Sequence, residues 1–199
     1  MTVQTEFQTF LNGLAEALTP LPAVCQLAFA VTCCERHFDS YVSFSREYHW
    51  GDPRVLRGAM DTAWAVVTDG EGGAPIAPDL LAKCMSAIPN SDQFSTPSAD
   101  YAQNLAIMVA HVVEFMVDNN VKYVVLTATL ARDLVDAKVQ INEELNASDP
   151  RLEQKIAEHP LMRAELEAQR RSLATLGHLK APDELRAFRR AAAGSRPAF

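Results

Sequence analysis

Of the 199 residues, 48% are hydrophobic and 22% charged, which fits one ordinary soluble domain large enough to bury most of its apolar surface. The formal net charge of −7 is unevenly spread: residues 1–150 carry 8 basic and 19 acidic side chains, whereas residues 151–199 carry 10 and 6. An acidic body repels phosphate backbones, so no nucleic-acid partner is expected; such a role would rest on the C-terminal segment alone, where Arg186, Arg189, Arg190 and Arg196 are spaced like the solvated flank of a helix and a frayed tail.

In chain order, Phe7, Phe10, Leu11, Leu14 and Leu18 recur at steps of three and four and predict an amphipathic helix ending at the TPLP turn. Leu21, Val24, Leu27, Ala28, Val31, Cys34 and Phe38 continue that period, so TCCERHFDSY, residues 32–41, reads as the last turns of a second helix. Asp39 then caps a short third helix carrying Tyr41, Phe44 and Tyr48. In GDPRVL, Asp52 is a good N-cap and Pro53 suits the first helical position, where its missing N–H costs nothing. Residues 68–79, TDGEGGAPIAPD, read as a loop whose glycines lack the Lys-Ser/Thr ending of a phosphate cradle.

A helix at 80–88 and a polar connection lead to a long helix from about Ser98 to Asp118, apolar on more than half its circumference and hence central. VKYVVLTATL, residues 121–130, is rich enough in β-branched residues for a strand, yet Val121, Val124, Val125, Ala128, Ala131, Val135 and Val139 keep the helical period, which predicts a helix. Asp149-Pro150 repeats the cap-plus-proline start, His159-Pro160 interrupts the run, and Met162, Leu166, Gln169, Leu173 and Leu176 form a narrow stripe for one or two neighbours. A final helix spans about 182–193, and residues 194–199 read as a mobile tail. The expectation is an all-α, single-domain bundle of about seven to nine helices over residues 1–199, with no secretory signal, no membrane span and a cytoplasmic location.

The series CER at 34–36, Tyr41, Phe44, Gly51-Asp52, Trp64, then Ala87-Ile88-Pro89 with Asp92 and Phe94, and the break at Pro160, resembles the YjaG family, a bacterial domain of unknown function (416). The resemblance covers roughly residues 20–196 and implies a compact helical bundle; it brings no catalytic residues. Where the family pattern sets a second cysteine two positions before that of CER, this chain has Thr32, which tells against a functional pairing of those two thiols here.

Cys25, Cys33, Cys34 and Cys84 lack any C-x-x-C spacing. On a helix, neighbours point about 100° apart, so Cys33 and Cys34 do not share a metal face; Cys34 reads as a buried small hydrophobe and Cys33 as a boundary thiol. His111 and Glu114 share a face, but in the reverse order of a di-iron Glu-x-x-His motif, so no metal site and no cofactor is expected. Glu35 and Arg36 read either as a polar clamp, with Arg36 holding carbonyls or a carboxylate from another segment, or as part of an anion site. Tyr48, His49 and Trp50 form an aromatic corner that either staples the next helix start or makes a binding patch.

No catalytic residue is assigned. The leading expectation is a non-enzymatic protein acting by self-association, as a homodimer, or by binding a protein partner, with residues 48–50 and the loops at 68–79 and 89–97 as contact regions. The alternative is a bundle that binds, or acts on, a small anionic or apolar molecule near Glu35, Arg36 and Tyr41. A buried Arg36 fully paired with protein carboxylates would finish that alternative.

Overall fold

A computed structural model describes residues 3–69, 79–179 and 181–194. Ten helices occur there: α1 (Val3–Leu18), α2 (Ala23–Tyr48), α3 (Pro53–Asp69), α4 (Leu80–Ser86), α5 (Ser91–Phe94), α6 (Pro97–Asp118), α7 (Val121–Asn142), α8 (Leu152–Glu158), α9 (Pro160–Leu176) and α10 (Pro182–Gly194), with no strand among the described residues. Most of the loop expected at 68–79, and the tail beyond residue 194, lie outside the described residues.

The VKYVVLTATL segment is helical, inside α7. Its β-branched residues keep the period that lets Val124, Ala128, Ala131, Val135 and Val139 all be buried, so tertiary packing overrides local propensity. The stops and starts follow their chemistry. Asp52 Oδ1 accepts from Arg54 N at 2.9 Å beside the Pro53 start of α3. Asn119 adopts the left-handed conformation that ends α6, and Asn120 then caps α7 by accepting from Lys122 N. His159, extended, separates α8 from α9 and caps the latter through Nδ1, which accepts from Leu161 N at 3.2 Å.

One expectation is corrected. TCCERHFDSY is not a helix end with Asp39 opening a third helix; it lies in the middle of the 26-residue α2. Asp39 is exposed and the chain runs past it, because Tyr41 and Phe44 are fully buried on the continuing apolar face. Residues Cys25 to Phe38 are buried on every side of α2, Cys33 included, so α2 shares the central position expected of α6. Helix α2 packs against α3, α6, α7, α9 and α10; the α6–α7 hairpin forms the other side of the core. A smaller cluster of Val135, Val139, Ile156, Met162 and Leu166 seals α7, α8 and α9 near Phe10 of α1.

The joint between α2, α3 and α4 is tight. Tyr41 is buried and its hydroxyl donates to Ala87 O at 2.7 Å. Gly51 sits beneath it at φ +71°, where a Cβ would run into Tyr41 Oη. Gly51→Ala is expected to cost about 1–3 kcal/mol, from backbone conformation and displacement of Tyr41 together. Urea denaturation checks this, and a change within error would remove the role given to Gly51.

Candidate functional site

The consecutive residues Glu35 and Arg36 point to opposite neighbours of α2, as the helical step of about 100° requires. Toward α3, Glu35 accepts two hydrogen bonds from Arg57, Nη1 to Oε2 at 2.9 Å and Nη2 to Oε1 at 2.8 Å, and a third from Trp64 Nε1 at 2.9 Å. Arg57 also lies over the Phe38 ring, 5.4 Å from its centroid.

Toward α9, Arg36 meets Glu165. Nε donates to Oε2 at 2.8 Å and Nη2 to Oε1 at 2.6 Å, a bidentate fork between side chains that are about 5% exposed. Nη1 donates to Thr32 O at 3.2 Å, and Nη2 also reaches Cys33 Sγ at 3.4 Å. Glu165 Oε1 accepts further from Gln169 Nε2, which in turn donates to Ala128 O of α7. His37 Nε2 stands 3.3 Å from Glu165 Oε2. Burial opposes ionisation of Glu165, but the charge and hydrogen bonds of Arg36, with those of His37, outweigh it and hold the carboxyl well below the usual range.

Arg36 is thus a clamp on a carboxylate from another segment, and the anion-site reading built on Glu35, Arg36 and Tyr41 is corrected. The guanidinium is occupied by Glu165, Glu35 by Arg57 and Trp64, and the Tyr41 hydroxyl by Ala87. The thiols are equally spent: burial pushes Cys33 up to about 11 and Cys34 well above its ordinary 9.0. Neither is poised as a thiolate. Tyr48 and Trp50 of the aromatic corner pack on Phe44 and Phe94 at centroid separations of 5.1 to 5.9 Å, which makes the corner largely intramolecular. His49, exposed, takes the left-handed position that ends α2.

One concave feature borders this network. Helix α10 packs on α2 and α3, while α9 packs on α2 and α7, and between the two lies a groove of about 650 Å³ floored by Thr32 and Arg36 of α2. That volume falls within the range of small-molecule sites. Its apolar wall is Ala168, Leu179, Ala187, Phe188, Ala191 and Ala192; Arg171, Ser172, Thr175 and Glu184 supply polar atoms. Of the residues singled out from the sequence only Arg36 reaches it. Arg57 and Glu165 were missed, as were the groove residues. A signal for Glu165 existed: Glu165, Gln169 and Ser172 repeat at steps of four and three, a polar line beside the apolar stripe of α9.

Two outcomes test this electrostatic account. Glu165→Ala leaves Arg36 buried and unpaired and is expected to cost about 3–5 kcal/mol, whereas Arg36→Met with Glu165→Leu recovers most of it; urea melts of the three proteins decide. His37, flanked by Arg36 on α2, Glu165 on α9 and Lys138 on α7, is held by burial below its ordinary 6.5, against the pull of Glu165. The unfolded chain therefore takes up a proton at His37 before the folded one does, so its stabilising contribution is complete above that ordinary value and is lost as pH falls below it. The melting temperature is expected to drop from about pH 7 to about pH 5, and less steeply in His37→Gln; equal slopes would refute the assignment.

No curated protein of known function matches the chain. A crystal structure described as a DUF416 family protein from Shewanella baltica OS155 superposes with a TM-score of 0.82 at 18% identity, covering 92% of this chain and 94% of that one. The likeness establishes the fold. The family model described as "Protein of unknown function (DUF416)" matches residues 13–193, nearly the whole chain. The chain therefore belongs to the DUF416 family.

Proposed function

We propose that this protein works by binding rather than by catalysis, and that its site is the groove between α9 and α10 over the Arg36–Glu165 pair. The groove itself carries the reading: a concavity of about 650 Å³, walled mainly by small apolar side chains and lined at a few points by polar groups, has the make-up of a ligand site. Support comes also from the state of the reactive-looking groups, since the charges of the Glu35–Arg36 region are neutralised in ion pairs and the neighbouring thiols are pushed toward their neutral form. Of the anionic and apolar ligands expected for a bundle of this kind, the apolar class is retained, because Arg36 is neutralised by Glu165.

Self-association is the second reading. It is favoured by Val117, 66% exposed near the end of α6, and by Leu126 and Ile141, exposed on α7. We assign it no interface.

Native mass spectrometry of freshly purified, untagged protein, compared with its denatured mass, tests both. The expected result is an adduct of small-molecule mass that disappears on denaturation and is absent from Ala187→Trp, which fills the groove from the exposed side of α10. An adduct of equal occupancy in that variant would move the site elsewhere. A clean dimer without adduct would transfer the proposal to association.

A further inference from the structure

The groove's polar side is built from donors that the protein leaves unused. Thr32, Thr62, Thr68, Ser86, Thr127 and Thr129 each turn their hydroxyl onto the carbonyl four residues earlier, the ordinary resting place of such groups on a helix. Ser172 and Thr175, one turn apart on α9, do not: among the described residues neither hydroxyl has a hydrogen-bond partner. Ser172 is only 9% exposed and lines the groove. Its hydroxyl is not enclosed by protein, and that of Thr175 is on an exposed residue, so water can satisfy both, and an occupant of the groove that displaces this water must offer an acceptor in its place.

Arg36 supplies a third donor. A guanidinium has five N–H groups. Nε uses one on Glu165, Nη2 uses two on Glu165 and Cys33 Sγ, and Nη1 uses one on Thr32 O, which leaves one Nη1 hydrogen on a residue of the groove floor. Opposite these donors stand Ala187, Phe188 and Ala191 of α10, which offer only apolar surface.

The charges around the groove exclude a strongly charged occupant. Arg36 is neutralised by Glu165, so an incoming carboxylate would share that guanidinium with a carboxylate already in place. At the rim Arg171 is 70% exposed and 3.8 Å from Glu167, so water and that carboxylate screen its charge. An incoming ammonium would have to sit beside the Arg36 guanidinium of the floor, which can only donate, so the Ser172 and Thr175 hydroxyls, able to accept as well as to donate, do not favour it over a neutral group.

We infer that the ligand is an uncharged amphipathic molecule, an apolar body ending in a carbonyl or amide oxygen that accepts hydrogen bonds from Ser172, Thr175 and Arg36. This rests on the groove being the binding site and adds the ligand's chemical class. The apolar body lies along Ala187, Phe188 and Ala191, and the oxygen faces α9.

Isothermal titration of the full-length protein with octanamide, octanoate and octylamine, three probes sharing one chain and differing in headgroup, tests the inference. Octanamide is expected to bind tightest, and Ser172→Ala, which retains the helix because alanine favours it, to weaken octanamide about fivefold to tenfold, the loss of one hydrogen bond. Tighter binding of octanoate or octylamine overturns the headgroup assignment, as does unchanged octanamide affinity in Ser172→Ala or failure of octanamide to bind at all. Ala187→Trp separates this inference from the reading beneath it. If Ala187→Trp abolishes binding while Ser172→Ala leaves it intact, the groove stands and the headgroup assignment falls. If octanamide binds Ala187→Trp as well as wild type, the groove reading falls too.

Discussion

An arginine can be buried in a helical core only where its charge is met, and the arrangement of this bundle turns on how Arg36 is met. Glu165 reaches it from 129 residues along the chain, with both oxygens engaged. Gln169 extends the contact to the backbone of α7, and His37 adds a second α2 side chain. Three helices, α2, α7 and α9, are thereby tied together by one buried polar network. A purely apolar contact would give similar or greater stability; the bidentate geometry adds a fixed distance and orientation between α2 and α9. Here the ion pair is best regarded as a device that specifies the packing of α9, at a net stability close to that of a hydrophobic replacement.

The same logic explains why short, scattered motifs run through the chain. CER sends Glu35 to α3 and Arg36 to α9. Trp64 completes the first of these contacts by donating to Glu35, and Pro160 starts the helix that brings Glu165 to the second. Tyr41, Gly51 and Ala87 meet at the α2–α3–α4 joint, while Phe44, Trp50 and Phe94 close an aromatic cluster beside it. The residues that identify the family from its sequence are, in this chain, those that fix how helices meet. Polar and aromatic groups at joints have few acceptable substitutes, because each depends on a partner of matching shape and charge.

How much of this was legible in the sequence depended on whether the determinant was local. Helical period decided α7 against its β-branched composition, and the Asp-Pro and His-Pro signals placed the starts of α3 and α9 within a residue or two. Cap chemistry misled at Asp39, since a residue able to cap is equally able to sit on the exposed side of a continuous helix, and the burial of Tyr41 and Phe44 decides between the two. Arg36 could be read as needing a carboxylate, but nothing local names Glu165 as that carboxylate. Cys33 reads as a boundary thiol because it lies off the apolar stripe that holds Cys34; the polar residues beside it are themselves buried and paired, so the boundary does not exist. The groove was illegible for the same reason: its two walls come from helices whose separation is set by what each packs against.

That separation follows from charge placement. The basic excess of the last quarter of the chain is partly spent within the molecule: Arg186 reaches Asp69 and the Thr68 carbonyl, and Arg189 reaches Asp61 while lying 5.7 Å from the centroid of Trp64, so α10 is drawn onto the acidic outer face of α3. Each contact is partly exposed and individually weak. They act together with the burial of Leu185 and Ala192 and the packing of Phe188 against Trp64. Helix α9, meanwhile, is committed to α2 and α7 through Glu165 and Gln169. The two helices share α2 but differ in their second partner, α7 for α9 and α3 for α10, and the space between them has α2 as its floor. The groove is therefore a consequence of two sets of polar contacts that secure α9 and α10 separately, and the unpartnered hydroxyls of Ser172 and Thr175 stand on its α9 wall.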